Sequence, residues 1–142
     1  MRALILALTL AASPVLATSP VLAEVTPSAP PMTAAEFESY ATGKTLTYGL
    51  GGEVYGIEQY LPGRRVLWAF TGDECRKGYW YEVGQEICFV YETDPEGPQC
   101  WTFHRLGDGI RAHFVGDPNG ADLSEVSRSS SPLTCSGPDV GV

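Results

Sequence analysis

The sequence has no Cys-x-x-Cys pair, no Gly-x-Ser-x-Gly elbow and no Gly-x-x-x-x-Gly-Lys-[Ser/Thr] loop. The first absence removes zinc ribbons and dithiol redox motifs, which need that close spacing. The second removes the strained turn that presents a hydrolase serine, and the third removes the backbone cradle for nucleotide phosphates. Gly43-Lys44-Thr45 lacks the earlier glycine and sits where a helix ends instead of where one begins. Basic residues are scarce, nine Lys and Arg against 17 Asp and Glu, a formal charge of −8. That balance argues against a nucleic-acid binder, which needs cations to displace counterions from phosphate. Past the N-terminus no apolar run is long enough to cross a membrane as a helix.

The N-terminus reads as an export signal. Met1-Arg2 supplies the positive start, Ala3 to Ala12 is apolar except for Thr9, and small residues stand at cleavage spacing in Val15-Leu16-Ala17 and Val21-Leu22-Ala23. Cleavage after Ala23 is expected, because Glu24 opens a polar stretch. It would remove Arg2 and no acid, leaving eight basic residues against 17 acidic ones, or −9. The four cysteines agree with that address, being even in number and all beyond residue 23. In an oxidising compartment they should form two disulfides. The expected localisation is periplasmic or secreted.

The remaining chain divides into a Pro-rich linker at 24–32, a β domain at 33–128 and a C-terminal tail at 129–142. Thr33-Ala-Ala-Glu36 has the form of a capping box, with Phe37 and Tyr40 sharing the face of a short helix over 34–41 that Gly43 ends. After Gly43 the pattern turns to β. Runs rich in Val, Ile, Thr and aromatics fall at 45–48, 53–60, 64–70, 78–82, 86–92, 99–106, 110–116 and 122–127, separated by Gly, Pro, Asp and Asn clusters. The fold expected is an all-β antiparallel meander of about eight strands, a barrel or half-barrel with the helix over one end. Its expected inward set is Leu46, Tyr48, Tyr55, Ile57, Val66, Trp68, Phe70, Trp80, Ile87, Phe89, Trp101, Phe103 and Phe114.

Turn chemistry sets three expected registers. Asp108-Gly109 as a two-residue turn places Phe103 opposite Phe114 and His104 opposite His113. Pro62-Gly63 as a turn centre places Ile57 opposite Trp68 and Tyr55 opposite Phe70. Matching Ile87, Phe89 and Tyr91 with Trp101 and Phe103 puts Cys88 and Cys100 on a shared face, and the register that sets them directly opposite leaves a three-residue loop, Thr93-Asp94-Pro95. A Cys88–Cys100 disulfide follows, leaving Cys75–Cys135 to tie the tail to the body. Each contributes roughly 3 to 4 kcal/mol by chain-entropy reasoning.

Candidate chemistry is sparse. A His104/His113 pair would begin a metal site, but its neighbours Leu106 and Arg111 are not ligands, and Glu125 on the following strand would add one only in a register that the sequence leaves open. A polar surface pair is the expected reading, and neither a metal nor another cofactor is expected. Glu53, Glu58, Glu74, Glu82, Glu86, Glu92, Asp94 and Glu96 fall mostly at strand ends and turns and read as solvated surface. Asp117-Pro-Asn-Gly120 with Asp122 lacks the spacing of a calcium loop and reads as a turn. Ser127, Ser129, Ser130 and Ser131 read as the approach to a tail. The binding candidates are Trp68, Trp80, Trp101 and Tyr55, which would line a barrel interior. No catalytic residue is expected.

The segments Gly43-Lys-Thr-Leu46, Tyr60-Leu-Pro-Gly63, Gly78-Tyr-Trp80, Ile87-Cys-Phe-Val-Tyr91 and Cys100-Trp101 resemble a family of small exported bacterial proteins of unknown function, over about residues 33–115. The resemblance implies export and a small cysteine-containing β domain, and no activity. The function expected is that of an exported, non-enzymatic, acidic binding domain taking a small apolar ligand or a basic protein partner, such as an envelope hydrolase that it inhibits. An envelope enzyme using surface carboxylates or the His104/His113 pair, and a structural envelope protein, are the alternatives.

Overall fold

The turn clusters and short β-rich runs fold into eight strands that pair each with the next, the last closing on the first. The computed structural model describes residues 29–136, so the expected signal segment at 1–23 and most of the expected linker lie outside the described residues. Helix α1 (Ala34–Ala41) precedes β1 (Thr45–Leu50), β2 (Glu53–Leu61), β3 (Arg65–Phe70), β4 (Arg76–Val83), β5 (Glu86–Tyr91), β6 (Gln99–Leu106), β7 (Gly109–Phe114) and β8 (Leu123–Ser129). All pairings are antiparallel and the order is a closed up-and-down barrel. Closure leaves no edge strand to recruit another chain.

The helix forms where its capping box lies. Thr33 Oγ1 accepts from the Glu36 N–H at 3.3 Å, and the Glu36 carboxylate accepts from the Thr33 N–H at 2.8 Å. Those two bonds satisfy donors that a helix start leaves open. Its buried face enters one end of the barrel. Phe37 is 0% exposed, with ring centroids 5.5 Å from Tyr60, 5.4 Å from Trp80, 6.4 Å from Phe89 and 4.3 Å from Phe103. Tyr40 locks the same end, its hydroxyl donating to Glu125 and accepting from Arg128. Lys44 and Arg105 each place a cation 4.5 Å from its ring centre. Burial and the Glu125 carboxylate push the Tyr40 hydroxyl up to about 12, so it stays a donor. On the way into the helix, Met32 donates to the Phe103 carbonyl and Pro31 bridges His104, which docks the linker's last residues on β6.

Two of the three expected registers are corrected. The β6–β7 turn is centred on Gly107-Asp108, with Gly107 at φ +57°. A glycine of positive φ at the first central position suits a two-residue hairpin as well as Asp-Gly does. The two-residue shift keeps faces but changes partners: Phe103 faces Ala112, His104 faces Arg111, and Trp101 faces Phe114. The β2–β3 loop has three residues, Pro62-Gly63-Arg64, with Gly63 at +74° and Arg64 at +60°. Its extra residue shifts the register by one and turns every β2 side chain to the opposite face relative to β3. Glu58 therefore faces Trp68, while Ile57 faces Ala69 and lies half-buried outside the barrel beside Thr45, Thr47 and Leu133. Arg64 is the only non-glycine of positive φ among the described residues. Its side chain holds that conformation, bonding Glu38 at 3.2 Å and covering the Trp80 ring at 4.5 Å.

The third register stands, with Cys88 opposite Cys100. The loop is longer than expected, because β5 ends at Tyr91 and β6 starts at Gln99. Disulfides join Cys88 to Cys100 and Cys75 to Cys135. The second brings the tail to the start of β4, and on the way Leu133 donates to Gln59 and Thr45 donates to the Ser131 carbonyl. Two disulfides point to an oxidising, non-cytoplasmic environment. Among the described residues no helix is long and apolar enough to cross a membrane.

Candidate functional site

With α1 filling one end, the interior opens toward the other. A cavity of about 60 Å³ lies there, with Tyr48, Glu58, Tyr60, Trp68 and Phe89 in its buried part and Arg76, Asp94, Gln99 and Trp101 toward the half-exposed mouth. Two glycines make its walls thin. A Cβ on Gly56 would fall 2.4 Å from Trp68 Cη2 and 2.9 Å from the Ala69 carbonyl oxygen. A Cβ on Gly78 would fall 2.4 Å from the Val90 carbonyl oxygen and 2.8 Å from Tyr91 Cδ1. The missing side chains let the Trp68 indole and the Tyr91 ring lie against the barrel wall. Gly56→Ala should therefore destabilise the protein by about 1–3 kcal/mol, as overpacking does, and should alter tryptophan emission. A denaturant midpoint and emission spectrum matching wild type would show that Trp68 does not occupy the space over Gly56.

The cavity floor carries one carboxyl group. Glu58 is 4% exposed. Tyr60 donates to its Oε2 at 2.8 Å and Tyr91 donates to its Oε1 at 2.7 Å. Tyr48 lies 2.8 Å from the Tyr60 hydroxyl, and since Tyr60 spends its proton on Glu58, Tyr48 donates to Tyr60. Burial pushes the Glu58 carboxyl up to about 7, against the pull of the two tyrosine bonds. Burial and the neighbouring carboxylate push the Tyr48, Tyr60 and Tyr91 hydroxyls well above their ordinary range. A carboxylate has about four acceptor positions and the tyrosines use two. Glu58 thus stays able to accept from a ligand.

The binding candidates separate. Trp68, Trp101 and Tyr55 line the cavity, Tyr55 packing against Trp68 at 6.0 Å and Phe70 at 5.4 Å. Trp80 lies at the helix end between Phe37 and Arg64, away from the cavity. Phe114 is half-buried against Trp101, with centroids 4.9 Å apart. The expectation that Glu58 is solvated surface is overturned, because the three-residue loop turns it inward. Its period-two match with Tyr60, both inward on β2, was the available signal. Arg76 and Asp94 also reach the cavity, Asp94 held by the Glu96 N–H and by Gln99.

The histidines are engaged separately. His104 Nδ1 lies 2.6 Å from the Ala29 carbonyl, which only accepts, so Nδ1 carries the proton and Nε2 takes the Thr102 hydroxyl at 3.0 Å. His113 Nδ1 meets Asp122 at 2.6 Å, and Asp122 also pairs with Arg111 at 3.1 Å. Thr102, not His104, faces His113. Glu125 is taken by Tyr40, Arg128 and the Ile110 N–H. Glu86, Cys88 and Cys100 lie within metal-binding reach of one another. Both sulfurs are in a disulfide, which offers no thiolate for a metal. No family model, no curated protein and no solved structure matches the chain, so its chemistry has to be read from the cavity itself.

Proposed function

We propose that the protein is an exported, non-enzymatic binding domain, periplasmic or secreted, that holds a small ligand in the open half of its barrel. The observation that carries this reading is the cavity: aromatic walls from Tyr48, Tyr55, Trp68, Tyr91 and Trp101 around one buried carboxyl group. Small-molecule sites have this character, mostly apolar lining with a few placed polar groups. A space of about 60 Å³ admits a small group and not a large apolar body, which narrows the expected ligand. The charge of −8 favours cationic ligands and, at the surface, basic partners.

The test is native mass spectrometry of the protein purified from its native envelope. An adduct that vanishes on denaturation, and that Trp101→Ala depletes at least tenfold, is the expected result. A clean mass in both proteins, with tryptophan emission unmoved by a panel of small amines, acids and alcohols, would sink the reading.

A further inference from the structure

The cavity is lined by three charged groups, Glu58, Arg76 and Asp94, and Glu58 and Arg76 do not meet. Glu58, Trp68 and Arg76 are register partners in one row across β2, β3 and β4. At the usual strand spacing the outer two Cα atoms stand about 10 Å apart, with the indole between them. Among the described residues neither Glu58 nor Arg76 has an ion-pair partner. Arg76 places its guanidinium 5.3 Å from the Phe70 ring centre and lines the mouth; Glu58 lies at the floor. A buried carboxylate with free acceptor positions, ringed by tyrosines and a tryptophan, has the composition of an ammonium site, since aromatic faces attract cations. A guanidinium at the mouth suits a carboxylate and repels a second cation.

Resting on the reading of the barrel as a ligand site, we propose that the ligand is a small zwitterion, an amino acid or betaine, with its ammonium group on Glu58 among the aromatic rings and its carboxylate on Arg76. The small volume admits an ammonium head bearing few carbons, and the remainder of the ligand leads out past Arg76. The charged and titratable groups facing this site are Tyr55, Glu58 and Tyr60 from β2, Tyr48 from β1, Arg76 from β4, Tyr91 from β5 and Asp94 from the loop after it. Tyr48, Tyr60 and Tyr91 remain neutral near neutrality. Ionised Glu58 attracts the ammonium more strongly than its protonated form does, so affinity should fall at least tenfold as pH drops from 8 to 5.5.

The experiment titrates the full chain calorimetrically at pH 8 with four probes. Glycine betaine and alanine are zwitterions with methylated and unmethylated ammonium groups. Tetramethylammonium keeps the cation alone, and 3,3-dimethylbutanoate keeps the shape and carboxylate of betaine without its cation. The expected result is that one zwitterion binds at least tenfold tighter than both single-charge probes. Arg76→Gln, at a half-exposed site, should weaken that zwitterion at least tenfold without weakening tetramethylammonium. Glu58→Gln should weaken both. Binding of 3,3-dimethylbutanoate within twofold of betaine would overturn the zwitterion and leave the barrel as an apolar site. Failure of all four probes while the native adduct persists would likewise overturn only the zwitterion; failure of all four with no native adduct would overturn both readings.

Discussion

Phe37→Ala should destabilise the protein by about 3–5 kcal/mol, the usual cost of emptying a fully buried phenylalanine site. The ring is wholly enclosed, and Tyr60, Trp80, Phe89 and Phe103 contact it from four strands or their ends. Those partners are fixed in a closed barrel, so they cannot collapse into the space. Against a typical total of about 5–15 kcal/mol, this loss should move the denaturant midpoint strongly with the slope unchanged. Phe37→Leu should recover most of it. A loss below about 1 kcal/mol for alanine would mean that the helix rests on the barrel without plugging it.

That plug was legible from residues in sequence. Thr33 and Glu36 announced the helix start, and Phe37 with Tyr40 announced its apolar face. The eight strands were legible too, because each β-rich run is punctuated by residues that only turns accommodate. Cysteine pairing was legible because the matched aromatic faces of β5 and β6 put Cys88 and Cys100 on one face and a turn near Asp94 sets them opposite. The registers of the two other hairpins were harder to see. Gly107-Asp108 and Asp108-Gly109 are both good turns, and only the packing of Phe103 on Ala112 and Phe37 separates them. The β2–β3 loop hid its third residue because Arg64 carries no turn signal. What keeps it at positive φ is the grip of Glu38 and Trp80, two contacts made across the fold.

The consequence falls on the candidate site. A two-residue shift in β6–β7 changed partners on unchanged faces, so most of the expected core survived it. A one-residue shift in β2–β3 exchanged Ile57 for Glu58 as the inward residue. The polar centre of the cavity was therefore the part of the site least legible in sequence. An inward glutamate in a strand breaks the hydrophobic pattern that assigns the faces, and functional positions often break local rules in this way.

Stability should fall as pH rises through the window in which Glu58 ionises. The ordinary carboxyl value is 4.5 and burial raises it to about 7 in the folded protein. The folded state therefore holds this proton more tightly than the unfolded chain. Its contribution is fully present below 4.5, declines between 4.5 and 7, and is gone above 7. A shift of that size corresponds to about 3 kcal/mol between the two plateaus. Denaturant midpoints from pH 4.5 to 8 should show the decline in wild type and its loss in Glu58→Gln. The general repulsion of an acidic chain also grows with pH, but it acts on both proteins, so their difference isolates Glu58. Tyr48, Tyr60 and Tyr91 are held well above this range and add no slope of their own. A difference that stays flat across the window, or that favours wild type increasingly as pH rises, would show that Glu58 does not hold its proton in the folded barrel. Ligand gives the same titration a second use. A molecule that places a cation on Glu58 must stabilise the ionised form, so saturation with it should move the decline to lower pH. A neutral apolar occupant, which only excludes water, should move it higher.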